Sequence, residues 1–374
     1  MQSKVKRTRG IACVLVLLWA IFVCAGSALS QDAQKPAPWY ESVSTNVFIS
    51  TAYSYNFNNP DLAKNNFHVF DFDENSLKVD VIDLAVRKDA TKAGETGFRF
   101  DLTAGSSIPR ATRSSGLDIG DLDFLQLYAS YIAPLGRGVR FDVGKFITPA
   151  GYEYIENCDG HNDNYTHSFL FAYALPSTHT GVKVSDSFAE NVSAALMLVN
   201  GWDNAIDNNK SKTIVGQVGV APVSRTNLTL VYMFGPEKLN NNSDNRSLLD
   251  VFASDTLSDL LTLGINFDLG SEEHSVANGA TAHWNGIAGY ARLNLSGQFA
   301  VALRGEQFSD ENGVRTGVSQ KLQEFTITPE IHPADNFILR ADFRFDHSDK
   351  AVFQKEGGWV DTQATIGINA LFTF

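Results

Sequence analysis

Cysteine is nearly missing from this chain. Of three in 374 residues, Cys13 and Cys24 fall in the apolar amino-terminal stretch and only Cys158 lies beyond it. One remaining thiol cannot close an internal disulfide, and an oxidising compartment disfavours a reactive one. Neither Cys13 nor Cys24 has the small-residue context of a lipoprotein site, so no lipid anchor is expected. Long apolar runs are also missing. Past residue 29 no window approaches the roughly 20 apolar residues a spanning helix needs. Basic residues are outnumbered, 30 against 42, for a net charge of −12, and they are not clustered, which excludes nucleic acid as a partner. There is no G-x-S-x-G and no H-E-x-x-H, so the local signatures of nucleophilic and zinc hydrolases are missing and no enzyme is expected. The 29 glycines and 11 prolines are scattered, so no segment is low in complexity.

The amino terminus reads as a secretory signal. Lys4, Lys6, Arg7 and Arg9 form a basic region, Ile11 to Val23 an apolar one, and Ala28-Leu29-Ser30 places small residues where a signal peptidase reads them. The expected organisation is a signal peptide over 1–30, a periplasmic lead-in over 31–40, and one domain over 41–374. The rival reading is a retained anchor, against which the Gly26-Ser27-Ala28 tail argues.

What the domain has in abundance is alternation. At the carboxyl end Val360, Thr362, Ala364, Ile366, Ile368, Ala370, Phe372 and Phe374 share one face. Asp361, Gln363, Thr365, Gly367, Asn369, Leu371 and Thr373 share the other, because strand side chains alternate. Such a strand outruns the usual 5–6 residues or so and reaches the roughly 9–11 that cross a bilayer at a tilt. The same grammar recurs. Phe98, Phe100, Leu102 and Ala104 alternate with Arg99, Asp101 and Thr103; Leu125, Leu127, Ala129 and Tyr131 with Gln126, Tyr128 and Ser130. Val139, Phe141 and Val143 alternate with Arg140 and Asp142, and Val301 and Leu303 with Ala302, Arg304 and Glu306. The clearest case sets Phe337, Leu339, Ala341, Phe343 and Phe345 against Ile338, Arg340, Asp342, Arg344 and Asp346.

Connections alternate in length. Tight turns are expected at 133–136, 185–188, 222–225 and 332–335. Longer loops are expected near 58–75, 106–120, 146–176, 201–211, 235–246, 270–281, 309–315 and 347–359. Short turns on one rim and long loops on the other is the layout of outer-membrane barrels. A mean hydropathy of −0.12 fits, since the signal per strand is weak. Only helices and closed barrels satisfy every backbone group in lipid. The expected fold is therefore all-β: a transmembrane antiparallel β-barrel of about sixteen strands, with fourteen to eighteen inside the reach of the pattern. Its short turns are periplasmic and its long loops extracellular.

Three blocks carry a family resemblance: HVFDFDENSLKVDVIDLAVRKD (His68 to Asp89), GKFITPAGYEYIE with LPSTHTGVKV (Gly144 to Glu156, Leu175 to Val184), and LVNGWDNAIDNNKSKTIVGQVGVAP (Leu198 to Pro222). They resemble the OmpL-like beta-barrel porins of bacterial outer membranes, and the third is the most specific. The resemblance implies a barrel and a diffusion pore, and supplies no catalytic residues. Cys158, inside the second block between its two parts, departs from the pattern. The aromatic end at Phe374 resembles the terminal strand signal read by the barrel-assembly machinery.

Candidate sites follow from that frame. If the apolar face meets lipid, Arg99, Asp101, Arg140, Asp142, Arg304, Glu306, Arg340, Asp342, Arg344 and Asp346 point into the lumen as pore-lining candidates. Inward charges filter solutes, or they pair across strands and hold the wall together. The longest loop carries Glu153, Glu156, Asp159 and Asp163 and either folds inward as a constriction or stays outside. His161, Asp163 and His167 have metal-ligand chemistry but no ligand spacing, and the DNAIDNN run (Asp203 to Asn209) lacks the closing glycine and distal glutamate of a calcium loop. No metal or cofactor is expected. His179 is read as serving strand geometry. The functional expectation is a passive channel for small hydrophilic solutes, integral to the outer membrane. Expected partners are lipid, lipopolysaccharide and the barrel-assembly machinery, with a homo-oligomer open. The alternative is a structural or surface-binding barrel, for which the lead-in is too short to supply a plug. The pleat sends Phe343 to lipid and Arg344 to the lumen, so Arg344→Glu is expected to leave the barrel folded and shift selectivity towards cations.

Overall fold

The computed structural model describes residues 38–108, 110–112, 114–115 and 122–374. The expected signal peptide and nearly all of the lead-in lie outside the described residues. Trp39–Ser42 form one 3₁₀ turn, in a unit separate from the barrel unit, Val43–Phe374.

Sixteen antiparallel strands close into a barrel. The first eight are β1 (Ser44–Asn56), β2 (Ser76–Lys88), β3 (Thr96–Ala104), β4 (Leu122–Ala133), β5 (Val139–Ile147), β6 (Thr178–Ala189), β7 (Val192–Val199) and β8 (Thr213–Val223). The others are β9 (Thr226–Pro236), β10 (Asn245–Thr256), β11 (Leu261–Glu272), β12 (Ala282–Asn294), β13 (Phe299–Asp310), β14 (Gln320–Ala334), β15 (Phe337–Ser348) and β18 (Thr362–Thr373). Each strand pairs with its chain neighbours and β18 closes on β1, with Phe48 opposite Thr373 and Asn56 opposite Thr365. Closure leaves no unpaired edge in lipid. A small hairpin, β16 (Phe353–Lys355) and β17 (Gly358–Val360), stands apart in the last long loop. Val360, expected in the terminal strand, belongs to it.

The two faces are those the alternation implies. On β15 Phe343 and Phe345 are half exposed, whereas Arg340, Asp342, Arg344 and Asp346 are buried. Long loops alternate with short turns: L1 (57–75), L2 (within 105–121, described at 105–108, 110–112 and 114–115), L3 (148–177), L4 (200–212), L5 (237–244), L6 (273–281), L7 (311–319) and L8 (349–361) connect strands at the outer rim. Both ends of the barrel sequence lie on the periplasmic rim.

Three local expectations need correction. Residues 185–188 are not a turn; β6 runs through them to Ala189 and the turn is 190–191. Sequence pattern alone could not see this, because Ser185, Asp186 and Ser187 are turn-forming types whose backbone groups pair with β7. β14 likewise runs on to Ala334, past the expected turn start at His332. Leu125 does not face lipid. The ladder passes from Asp101 opposite Gln126 to Leu102 opposite Phe124, so Leu125 is a bulge residue, and it is wholly buried with Phe70 and Ile155.

Candidate functional site

L3 leaves β5 and crosses the lumen. The Gly151 N–H donates to Asp250 on β10 at 2.9 Å and the Tyr152 N–H to Asn266 on β11 at 2.9 Å. The Tyr152 ring lies on Gly264, where a Cβ would stand 2.4 Å from it, and stacks on Tyr290 at 4.2 Å. The glycine is what lets the loop approach this wall. The chain then doubles back as a tight hairpin, with Asn157 bridging Gly160. The Cys158 N–H donates to Asp83 on β2 at 2.9 Å, and Asp159 pairs with Arg99 at 2.7 Å and Arg87 at 3.2 Å. From there L3 returns across β12–β15. Asp163 pairs with Arg292 at 2.8 Å, and Tyr165 and Thr166 donate backbone N–H groups to Asp342 at 3.1 and 2.7 Å. A π-helical turn, Leu170–Ala174, ends the crossing, with the Trp284 indole N–H on the Ala174 carbonyl at 3.0 Å.

The pairing is reciprocal. Loop carboxylates meet wall guanidiniums: Glu153 with Arg304 at 3.1 Å, and Glu156 with Arg340. Loop backbone donors meet wall carboxylates: Phe169 and Leu170 on Glu306, Tyr165 and Thr166 on Asp342. Arg344 donates to the His167 carbonyl at 2.5 Å, pairs with Asp346 at 2.7 Å and lies over Phe169. Buried charges are tolerable when paired and hydrogen-bonded in this way. Burial pushes the Glu153 and Glu156 carboxyls up, against the pull of Arg304 and Arg340. Burial also holds His167 down at about 3 and His161 down at about 4, and lifts the Cys158 thiol to about 12, with Asp83 adding to the rise.

All ten expected lumen charges face inward, but nine are buried and only Arg140 is appreciably exposed, 30% at its side chain. Six of them, Arg304, Glu306, Arg340, Asp342, Arg344 and Asp346, lie on β13 and β15, five touching L3 directly and Asp346 through Arg344. Of the four loop acids, Glu153 and Glu156 are buried anchors, while the Asp159 and Asp163 side chains keep 34% and 37% exposure. His161, Asp163 and His167 do not converge; among the described residues no three metal-ligating side chains do. In the DNAIDNN run, Asp203 accepts the Ser177 and Thr178 N–H groups at 3.0 and 2.8 Å, tying L4 to the end of L3. His179 is buried and bonds the Gly201 carbonyl at 3.0 Å. Phe374 exchanges backbone hydrogen bonds with Val47 at 2.9 and 2.8 Å, and its ring is exposed.

The result is a lumen of two halves. In the outer half inward residues are buried all the way round, from Met197 on β7 through Trp284 on β12 and Gln363 on β18 to Asp80 on β2 and Asp123 on β4. In the periplasmic half the wall is open to water. There Arg87, Arg140, Lys183 and Arg292 keep side-chain exposures of 35%, 30%, 24% and 19%, beneath Asp159, Asp163 and the exposed Tyr154 of L3.

Sequence reasoning missed the part of L1. His68, Phe70 and Asp71 are buried inside the barrel, within a block singled out above but given no role. Phe70 stacks on His167 of L3 at 4.2 Å.

The family model described as "Putative beta-barrel porin-2, OmpL-like" matches residues 42–374. Among solved structures, the outer membrane channel DcaP of Acinetobacter baumannii superposes with a TM-score of 0.62 at 9% identity, covering 89% of this chain and 97% of its own. An anion-selective porin from Comamonas acidovorans gives 0.59 at 14%, covering 89% and 99%. The trimer form of OmpT of Vibrio cholerae gives 0.58 at 12%, also covering 89% and 99%. No curated protein sequence matches. At these identities the structures establish the fold, and the family match covers nearly the whole barrel. The chain belongs to the OmpL-like beta-barrel porin family and is an integral porin of the outer membrane.

Proposed function

We propose that this porin is a narrow diffusion channel for small hydrophilic solutes in which L3 is the constriction. One observation carries this reading: L3 crosses the lumen, held by buried ion pairs to β13 and β15 and by backbone N–H groups on Asp250 of β10 and Asp83 of β2. The water-accessible charges of the inner half set the sign of selectivity. Arg87, Arg140, Lys183 and Arg292 outnumber Asp159 and Asp163 there, so small anions are favoured. The Comamonas relative is described as anion-selective, which supports the same sign. That OmpT crystallises in a trimer form supports a homo-oligomer, and the lipid and assembly partners follow from the membrane fold. No catalytic constellation is assigned.

The filled outer half favours one second reading, a closed barrel whose loops bind a partner. Reconstitution of the refolded protein in a planar bilayer separates the two. A channel gives discrete conductance steps and, under a salt gradient, a reversal potential of the anion-selective sign. Absence of steps from a protein that runs as a folded barrel overturns the channel, and a cation-selective sign overturns the charge assignment.

A further inference from the structure

The second loop inside the barrel, L1, is bridged to β15 by one imidazole. His68 is fully buried, with Nδ1 at 2.6 Å from Asp71 of L1 itself and Nε2 at 2.8 Å from Asp346 of β15. Both carboxylates accept only; the Gln363 amide nitrogen on β18 also lies 3.1 Å from Nε2, but the 2.6 and 2.8 Å approaches to carboxylate oxygen are those of two donating ring nitrogens. A neutral imidazole has one N–H and would turn a lone pair on one of the carboxylates. The Asp346 oxygen concerned also accepts from Gln363 on β18 at 3.1 Å, which leaves it no donor role. The arrangement is that of an imidazolium shared by two carboxylates. The other oxygen of Asp71 is buried with no partner, so His68 is its one direct hydrogen-bond donor.

We infer that His68 is a positioning residue for the constriction: its charge holds L1 against the wall, and L1 in turn braces L3. The link runs through Phe70, two residues from His68, whose ring stacks on His167 and packs on Phe171 of L3. It also runs through β15, where Arg344 bonds both Asp346 and the His167 carbonyl. The charged groups facing His68 are Asp71 from L1 and Asp346 and Arg344 from β15, with Lys78 of β2 next to Asp71. Arg344 still balances Asp346 when His68 loses its proton. The neutral ring keeps a single N–H: held on Asp71 it turns the Nε2 lone pair on Asp346, and held on Asp346 it leaves the buried Asp71 carboxylate without a donor, so either tautomer weakens the bridge from L1 to β15. The carboxylates raise His68 above its ordinary value, against burial. A raised group contributes stability that is complete below the unfolded value and is lost as pH rises through the folded one. The bridge from L1 to β15 is complete below the titration of His68 and weakens as pH rises through it.

This inference rests on L3 being the constriction, and its test separates the two claims. The imidazole protons of His68 are followed by NMR in the detergent-solubilised, histidine-labelled protein while single-channel conductance is measured over the same pH range. In the wild type His68 titrates above the ordinary histidine value, and conductance rises in step with its titration. Asp71→Asn removes one carboxylate and moves both midpoints to lower pH together. His68→Gln, checked for heat-modifiable gel mobility, shows no transition and an elevated conductance at neutral pH. A His68 midpoint at or below the ordinary histidine value overturns the inference, as does a conductance transition that Asp71→Asn leaves in place. Should the protein not conduct at all, the NMR titration and its Asp71→Asn shift still decide the brace, while the channel reading alone falls.

Discussion

Arg304→Met is the sharpest test of the constriction. Arg304 is buried to 1% exposure on β13. It pairs with Glu324 at 2.7 Å and Glu153 of L3 at 3.1 Å, and donates to the Thr166 carbonyl and, at 3.2 Å, to its hydroxyl. Methionine approximates the stem and removes the charge. Glu153 and Glu324 are then left buried beside Glu306 without their cation. Removing one partner of a buried pair costs about 3–5 kcal/mol. At roughly 1.4 kcal/mol per decade, that displaces the local opening of L3 by about two to three and a half orders of magnitude. The rest of the loop stays tethered through Asp342, Glu306 and Arg340, and the sixteen-strand ladder is untouched. The expected protein is a folded barrel with higher conductance and frequent open-state transitions. Adding Glu153→Gln and Glu324→Gln removes the two stranded carboxylates and should return conductance towards the wild type. Gel mobility of the unboiled protein reports the fold and planar bilayers the conductance. A folded Arg304→Met barrel with unchanged conductance would show that L3 is not held where solutes pass.

Phe343→Arg places a charge on the lipid face and should lower urea-unfolding stability by roughly 2–4 kcal/mol if the site is near the midplane, measured in vesicles. Arg344→Glu, expected from the sequence to be a tolerated lumen change, is now expected to unseat L3, because it sets a carboxylate against Asp346 and Glu324; its readout is raised conductance, not a simple change of selectivity. Cys158, with its thiol held at about 12 by burial and Asp83, has little thiolate at neutral pH. It should label slowly with maleimide in the wild type and faster in Arg304→Met. Phe374→Ser should slow assembly, followed by the appearance of the fast-migrating form, while leaving the stability of the folded barrel unchanged, since only the backbone of Phe374 pairs with Val47.

Architecture was legible in the chain because lipid on one side and charge on the other impose a contrast of period two. On β15 that contrast is complete, and sequence places each of its residues on the observed face. On β7 and β9 the contrast fades: Met197, Val199, Val231 and Met233 face inward yet are apolar, because they lie in the same buried cluster as Phe169 and Leu170 of L3. A strand apolar on both faces shows no alternation, so the sequence gives no sign that its inner surface is dry. For the same reason the ten inward charges could be placed on a face but not given a role, since whether they meet water depends on where L3 lies. Nothing local in HVFDFDE announces that His68 will find Asp346, 278 residues away.

The division of the lumen into a filled outer half and a hydrated inner half makes the molecule a cup more than a tube. A passive path cannot favour net flow in either direction, because at equal concentrations the forward and reverse fluxes must balance. Under an applied voltage the two directions are nonetheless unequal. An anion driven outward first accumulates among Arg87, Arg140, Lys183 and Arg292, whereas one driven inward meets the packed loop before any of them. The current–voltage curve of such a cup bends, and the sense of its rectification reports which way the barrel has inserted.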